Sequence, residues 1–308
     1  MNEKVDIPRA GRRFRSSREN RWPVGLAFCL PLLVGLLAFT AYPVGMSLYY
    51  SLCHYSIFSR PRWAGLRNYQ NLMHDPRFWL SVWNTAYYAI FAVPLGIFAG
   101  LILALLLNLK IKGMAFFRTM FFLPTVVPLV ASCVLWNQIL NPQQGLINEF
   151  LRFIGLPEGF IPGWLTSEVW SKPALILMSV WGCGGGMVLY LAALQDVPME
   201  LYEAASLDGA RAWRRLWHIT LPMISPVLLF TGIMGMIGAV QVFTQAFIMT
   251  SGGPNQSTLF YSLELFNTAF TQYRLGYTSA MAWIMFVIIL TATVGVMKLS
   301  NRFVYYHS

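Results

Sequence analysis

Six long apolar tracts separated by polar stretches organise the chain, running approximately from Val24 to Leu52, Trp79 to Leu107, Phe116 to Leu140, Pro173 to Leu194, Ile224 to Thr250 and Gly276 to Met297. Each reaches the roughly 20 residues an α-helix needs to cross a hydrocarbon core about 30 Å thick. The tracts are continuously apolar and do not alternate over ten-residue units, so they predict helices and not the strands of a barrel. The expected fold class is therefore all-α, an integral membrane protein of six spans.

Composition strengthens that reading. Of 308 residues, 56% are hydrophobic and only 11% charged, whereas a soluble domain needs charges spread over every helix surface. The net charge of +10 invites a nucleic-acid role until its placement is considered. Lys4, Arg9, Arg12, Arg13, Arg15, Arg18 and Arg21 precede the first tract, and Lys110, Lys112, Arg118, Arg211, Arg214, Arg215, Lys298 and Arg302 flank alternate loops on that same side. The opposite side holds Arg60, Arg62, Arg67, Arg77, Arg152, Lys172 and Arg274. A bias of about two to one places both termini in the cytoplasm by the positive-inside rule. The arginines from Arg60 to Arg77 run against it.

The predicted organisation is a cytoplasmic basic tail over residues 1–23, a six-span domain over 24–298 and a cytoplasmic C-terminal tail over 299–308. The first tract is about twice the length of a signal-peptide core, so it reads as an uncleaved anchor. Cys29, Cys53, Cys133 and Cys183 share no close spacing and read as small hydrophobes. His54, His74, His218 and His307 form no ligand spacing and no nucleophile constellation. Two loops on the outer side, one ending in Asp75-Pro76-Arg77-Phe78 and the other over Asn141–Lys172, dock a soluble partner or cap the bundle.

The cytoplasmic segment 195–222 differs in texture, mixing acids and bases. Pro198 after Asp196 suits a first helical turn, Met199 to Leu207 uses good helix formers, and Asp208-Gly209 is a stop-and-turn signal. A second helix is expected from Ala210, ending before Pro222. A short helix followed by a tight turn is stiff, and small Ala204, Ala205 and Gly209 let another surface approach closely. Glu203 offers that surface a charge.

The run Glu203-Ala204-Ala205, Asp208-Gly209-Ala210, Ile219 and Leu221-Pro222 resembles the EAA loop of binding-protein-dependent ABC importer permeases, with Trp217 where that family usually has Phe. Further features resemble the carbohydrate-uptake members, similar to the F subunit of the maltose permease in a compact six-span form. These are Gly65-Leu66, Asn68-Tyr69, Asp75, Phe78 and Asn84-Thr85, then Thr250-Ser251-Gly252-Gly253-Pro254, Thr258 and Gly276-Tyr277. The resemblance implies a type I importer permease fold and an ATPase-coupling role for Glu203, Ala204, Ala205, Asp208, Gly209, Ala210, Trp217, Leu221 and Pro222. It also implies a heterodimer with a second homologous permease, two ATP-binding-cassette ATPase subunits, an extracytoplasmic solute-binding protein and a bacterial inner-membrane location.

No Lys follows a Gly, so the phosphate-cradling G-x-x-x-x-G-K-[ST] is absent. The chain is thus expected to be non-catalytic and to carry no cofactor or metal itself, with ATP and Mg on the partner ATPase. The middles of the tracts hold no Asp, Glu, Lys or Arg, which counts against an ion-coupled secondary carrier. A neutral sugar needs amides and hydroxyls interleaved with aromatic faces. Gln241 and Gln245, four residues apart and so expected on one helix face, with Phe243, Thr244 and Phe247, form the candidate substrate path, joined by Tyr190 and Trp181. Interhelical hydrogen bonding is the competing role for the two glutamines. Gly182, Gly184, Gly185 and Gly186, and the repeat Gly232, Gly235 and Gly238, suit close helix packing or, for the first group, a flexing point. The predicted function is the permease subunit through which a sugar or oligosaccharide passes, the alternatives being a permease for an amino acid, phosphate ester or osmolyte, or an ion-coupled carrier.

Overall fold

The computed structural model describes residues 22–109 and 111–300, and the surroundings of side chains from residue 26 onward. The basic tail up to residue 21, Lys110 and residues 301–308 of the expected C-terminal tail lie outside the described residues. Residues up to Tyr49 form one unit and those from Tyr50 a second.

In the first unit α1 (Trp22–Leu36) runs through a π-turn (Leu37–Ala41) into α2 (Tyr42–Ser51). The helix thus begins inside the stretch expected to be tail. The Tyr42 amide bonds Leu37 O, five residues back, and Pro43 follows. A proline ring collides with the carbonyl four residues before it in a regular helix, and one widened turn removes the collision.

The second unit opens with a hairpin, β1 (Cys53–Ser56) and β2 (Ser59–Trp63), a local departure from the all-α expectation. Cys53 pairs with Trp63 and His54 with Arg62. The Asn68 amide, in α3 (Arg67–Met73), donates to Ser51 O at 2.8 Å and Cys53 O at 2.9 Å, which fixes the base of the hairpin. The long helix α4 (Pro76–Leu107) starts earlier than the expected Trp79 because Asp75 caps it, accepting from the Arg77 amide at 2.9 Å, and Pro76 fits the first turn.

The expected third span is two helices, α5 (Met114–Val126) and α6 (Leu129–Ile139), bent by 100°. Pro128 forces the break, holding Val127 extended at φ −69°, ψ 128°. In the following loop α7 (Leu146–Phe153) is tied down by Trp164, whose indole donates to Asn148 Oδ1 at 2.8 Å. The fourth span is α8 (Ser171–Trp181) and α9 (Gly184–Gln195), bent by 45° at Gly182 and Cys183.

Then come α10 (Met199–Leu207), α11 (Ala212–Arg215), a π-turn (Leu216–Thr220) and α12 (Leu221–Val240). The last three form one run of 29 residues, Ala212–Val240. This corrects the expectation that the second helix of the polar segment ends before Pro222: the Leu221 amide bonds Leu216 O, and the helix continues past the proline by the same widened turn as at Pro43. The fifth span ends at Val240, not Thr250. α13 (Thr244–Met249), α14 (Tyr261–Phe266) and a π-turn (Asn267–Thr271) lead to α15 (Leu275–Ser300), which passes the expected boundary at residue 298. Among the described residues four helical runs are long and apolar enough to cross a membrane, and up to six spans result when each bent pair counts as one.

α4 is the axis of the second unit, with α8, α9, α12 and α14 packed on it. One apolar core joins Tyr88, Trp136, Leu175 and Phe260, another joins Leu107, Met187, Tyr190 and Ile224, and a third joins Leu72, Phe78, Tyr261 and Met281. Gly184 lets α9 approach α5, since a Cβ there would strike the Phe121 carbonyl. Large side chains such as Phe98, Phe116, Leu123 and Phe286 remain exposed on the bundle surface, as a lipid-facing surface requires.

The residues Asn68, Asp75, Phe78, Asn84, Thr85, Thr258 and Tyr277, far apart in sequence, meet at one end of the bundle. Asn84 donates to Gln256 O and Leu259 O and accepts from Lys172 Nζ at 3.0 Å. Thr85 Oγ1 accepts the Tyr261 amide at 2.8 Å, and Thr258 Oγ1 lies 2.7 Å from that of Thr250. Arg77 pairs with Glu264 at 2.9 Å.

Candidate functional site

A cavity of about 620 Å³ opens on α12 and its continuation, bounded also by α4, α8 and α9. Of the candidate path residues, Gln241, Phe243, Thr244, Gln245 and Tyr190 line it. Phe247 stands behind, its ring stacked on that of Phe243 at 5.2 Å. Trp181 packs edge-on against Trp136 at 5.9 Å and does not reach the cavity.

The two glutamines are not on one helix face. Gln241 is the C-terminal cap of α12, and Gln245 lies in α13 after Phe243 leaves helical geometry at φ −135°, ψ −58°. Spacing alone assumed an unbroken helix; the break turns the chain so that both side chains border the same space. An opened helix here also frees backbone groups, which a membrane protein tolerates where they line a cavity.

Sequence reasoning missed three further polar lining residues, Tyr88, Ser179 and Thr231. The Tyr190 hydroxyl lies 2.8 Å from Thr231 Oγ1. Thr231 Oγ1 also lies 2.9 Å from Val227 O and 3.1 Å from Leu228 O within its own helix. Thr231 was legible in principle, since it shares a helical stripe with Gly235 and Gly238. Among the described residues no Asp, Glu, Lys or Arg lines the cavity. Its walls are hydroxyls, amides, aromatic rings and aliphatic groups, which suits a neutral polyhydroxylated solute and offers no counter-ion to a charged one.

At the opposite end of α4 lies the segment 195–222. Pro198 stands just outside α10 as its N-cap, and the helix closes through paired bonds, Ala210 N to Ala205 O at 2.9 Å and Gly209 N to Ser206 O at 3.1 Å. That pattern requires a left-handed residue, which Gly209 supplies at φ +73°. The Tyr202 hydroxyl lies 2.9 Å from Thr220 Oγ1, bracing α10 against the π-turn below α12.

Glu203, Ala204, Asp208, Gly209 and Trp217 are exposed, while Ala205, Ala210, Leu221 and Pro222 are half-buried. Leu207 is 89% exposed and Trp213 69%. These two side chains leave apolar surface open on an otherwise polar segment. Leu207 and Trp213 were absent from the sequence-based set because neither belongs to the motif that singled out their neighbours.

Residues 92–304 match the family model described as binding-protein-dependent transport system inner membrane component. The probable ABC transporter permease YesP of Bacillus subtilis (strain 168) is 39% identical over 306 residues, covering 97% of each chain. The lactose transport system permease LacF of Rhizobium radiobacter is 38% identical, over 83% of this chain and 87% of that one. The trehalose/maltose transport system permease MalF of Thermococcus litoralis is 34% identical, over 90% and 94%. Among solved structures, a bacterial ABC transporter involved in the import of alginate superposes with a TM-score of 0.79 over 92% of this chain and 96% of that one, at 24% identity, and shares the fold. With a matching family model over most of its length and relatives alike from end to end, the chain belongs to the inner membrane components of binding-protein-dependent transport systems, the permease subunits of ABC transporters.

Proposed function

We propose that this permease forms, with a second homologous permease, the passage by which a sugar or oligosaccharide delivered by an extracytoplasmic solute-binding protein enters the cell. Both termini and the segment 195–222 lie in the cytoplasm, where that segment meets one of two ATPase subunits that hold the ATP and Mg. The observation that carries the reading is the unbroken helical run Ala212–Val240, which starts at the exposed segment and ends at Gln241 on the cavity wall. At 1.5 Å per residue such a run is a lever roughly 43 Å long. Closure of the ATPases pushes on α10 and the Gly209 turn, and the lever transfers that displacement to the residues that border the cavity.

The uncharged walls of the cavity and the substrates named for the lactose and trehalose/maltose relatives support a neutral sugar. Within the cavity Gln241, Gln245, Thr244 and Tyr190 supply hydrogen-bonding groups and Phe243 an apolar face. Glu203→Ala and Gly209→Trp test the coupling role in the assembled importer. Gly209 has open space around its missing Cβ, so the tryptophan obstructs a partner and not the chain itself, apart from roughly 1–2 kcal/mol of backbone strain at the left-handed turn. Assembly with uptake lost is the expected outcome; wild-type uptake in both variants removes the assignment.

A further inference from the structure

Of the arginines that run against the positive-inside pattern, Arg77 is neutralised by Glu264, but Arg67 is not. Together with Arg274 it lines a second pocket of about 470 Å³ between the hairpin, α3 and the start of α15. Neither guanidinium forms an ion pair among the described residues, and no Asp or Glu lines the pocket. His54, Tyr55, Phe58 and Tyr273 are among the other side chains that line it.

The pocket lies where helices leave the apolar layer. β1 begins two residues after Ser51, the end of one apolar helical run, and Arg274 immediately precedes Leu275, the start of another. A run of 26 residues spans roughly 39 Å, longer than the hydrocarbon core by several ångströms at each end. The residues at its tip therefore stand among lipid phosphates. The aromatic content matches that level: Tyr50 stacks on Tyr55 at 4.6 Å and Phe58 meets Tyr273 edge-on at 5.4 Å. Phe58 is 81% exposed and Ile57 and Trp63 on the same hairpin are also open, as rings and chains bathed in the interface are.

Arg274 is held ready for an anion. Its guanidinium lies 4.2 Å from the centre of the Tyr277 ring, whose hydroxyl is anchored on Asp75. Stacking fixes the plane and leaves the edge donors free for a two-oxygen acceptor. The positive end of the α15 dipole lies beside it and adds to the attraction.

We propose that this pocket binds the phosphate of an anionic phospholipid at the outer membrane surface, seating the hairpin in the interface. The outer location rests on the orientation given under the proposed function; the lipid chemistry rests on the pocket. The purified importer carrying Arg67→Gln with Arg274→Gln, delipidated and offered phosphatidylglycerol, is compared with wild type by native mass spectrometry. Loss of two charge-assisted contacts is expected to weaken retention by at least about tenfold. Arg67→Lys with Arg274→Lys keeps the charge and is expected to retain the lipid; equal loss in the lysine pair with intact assembly overturns the proposal. So does retention unchanged in the glutamine pair, whether or not receptor binding falls, because the arginines then serve a protein or nothing. Displacement of the lipid by excess inorganic phosphate would make this a free-phosphate site and also overturns it. Orientation is read separately: Ser59→Cys in a cysteine-free background should react with an impermeant maleimide in cells whose inner membrane is intact. Failure there sinks the orientation while leaving the retention result standing.

Discussion

The hydroxyl of Tyr277 donates to Asp75 Oδ2 at 2.6 Å, while Oδ1 of the same carboxylate caps α4 through the Arg77 amide. One short side chain thus starts the central helix and clamps it to the last one. Tyr277→Phe removes only the clamp and is expected to cost about 2 kcal/mol, and Asp75→Ala, which removes the cap as well, about 1 kcal/mol more. Thermal unfolding in detergent should rank them in that order; equal losses would mean the cap contributes nothing, and a Tyr277→Phe variant as stable as wild type would mean the same of the clamp.

Asn84 is almost fully buried inside α4 and joins three partners from two other parts of the chain, Gln256, Leu259 and Lys172. Asn84→Leu leaves two carbonyls and an ammonium without that partner. A loss of about 3 kcal/mol or more is expected, together with poor recovery of folded protein from membranes. Recovery and melting like the wild type's would show that water replaces the amide freely.

Glu264 lies outside the spanning helices and is buried, and burial raises its carboxyl above the ordinary 4.5 although the Arg77 pair pulls it back. A raised carboxyl pKa means the folded state holds the proton more tightly than the unfolded one. The associated stability is therefore present below the ordinary value and is lost as pH rises through the folded one. Glu264→Gln keeps an acceptor for Arg77 and cannot titrate. Its melting temperature is expected to change less than that of wild type between neutral pH and about pH 5, and parallel profiles would count against the assignment.

Gln241→Leu and Gln245→Leu, singly and combined, are expected to leave assembly intact and to lower solute-dependent uptake, since both side chains border the cavity and neither packs in the three apolar cores. Tyr190→Phe is expected to cost about 1 kcal/mol through the lost Thr231 bond and to change uptake alongside. Normal transport in the doubly substituted glutamine variant would assign these residues to structure alone.

Much of this is legible in the sequence. The apolar tracts, the Asp208-Gly209 turn and the Asp75-Pro76 helix start are local, and each is written in a handful of neighbouring residues. The bends were not read correctly, although their causes stand in the sequence: Pro128 breaks one span, while Pro43 and Pro222 are passed by widened turns. A proline announces that the regular bonding pattern must change, but whether the helix breaks or adds a residue to one turn depends on what packs around it.

The sequence by itself determined the solvent, the helical class and the placement of a stiff polar segment between apolar spans, because these follow from residue types repeated over tens of positions. Only the tertiary structure decided that this segment runs on into a cavity wall, that Gln241 and Gln245 share that wall from two different helices, and that Asp75 meets Tyr277. Such meetings depend on how bent helices cross over α4. No periodicity within one segment encodes the crossing, since the partner that completes each hydrogen bond lies 100 or more residues away in several cases, 202 residues for Asp75 and Tyr277.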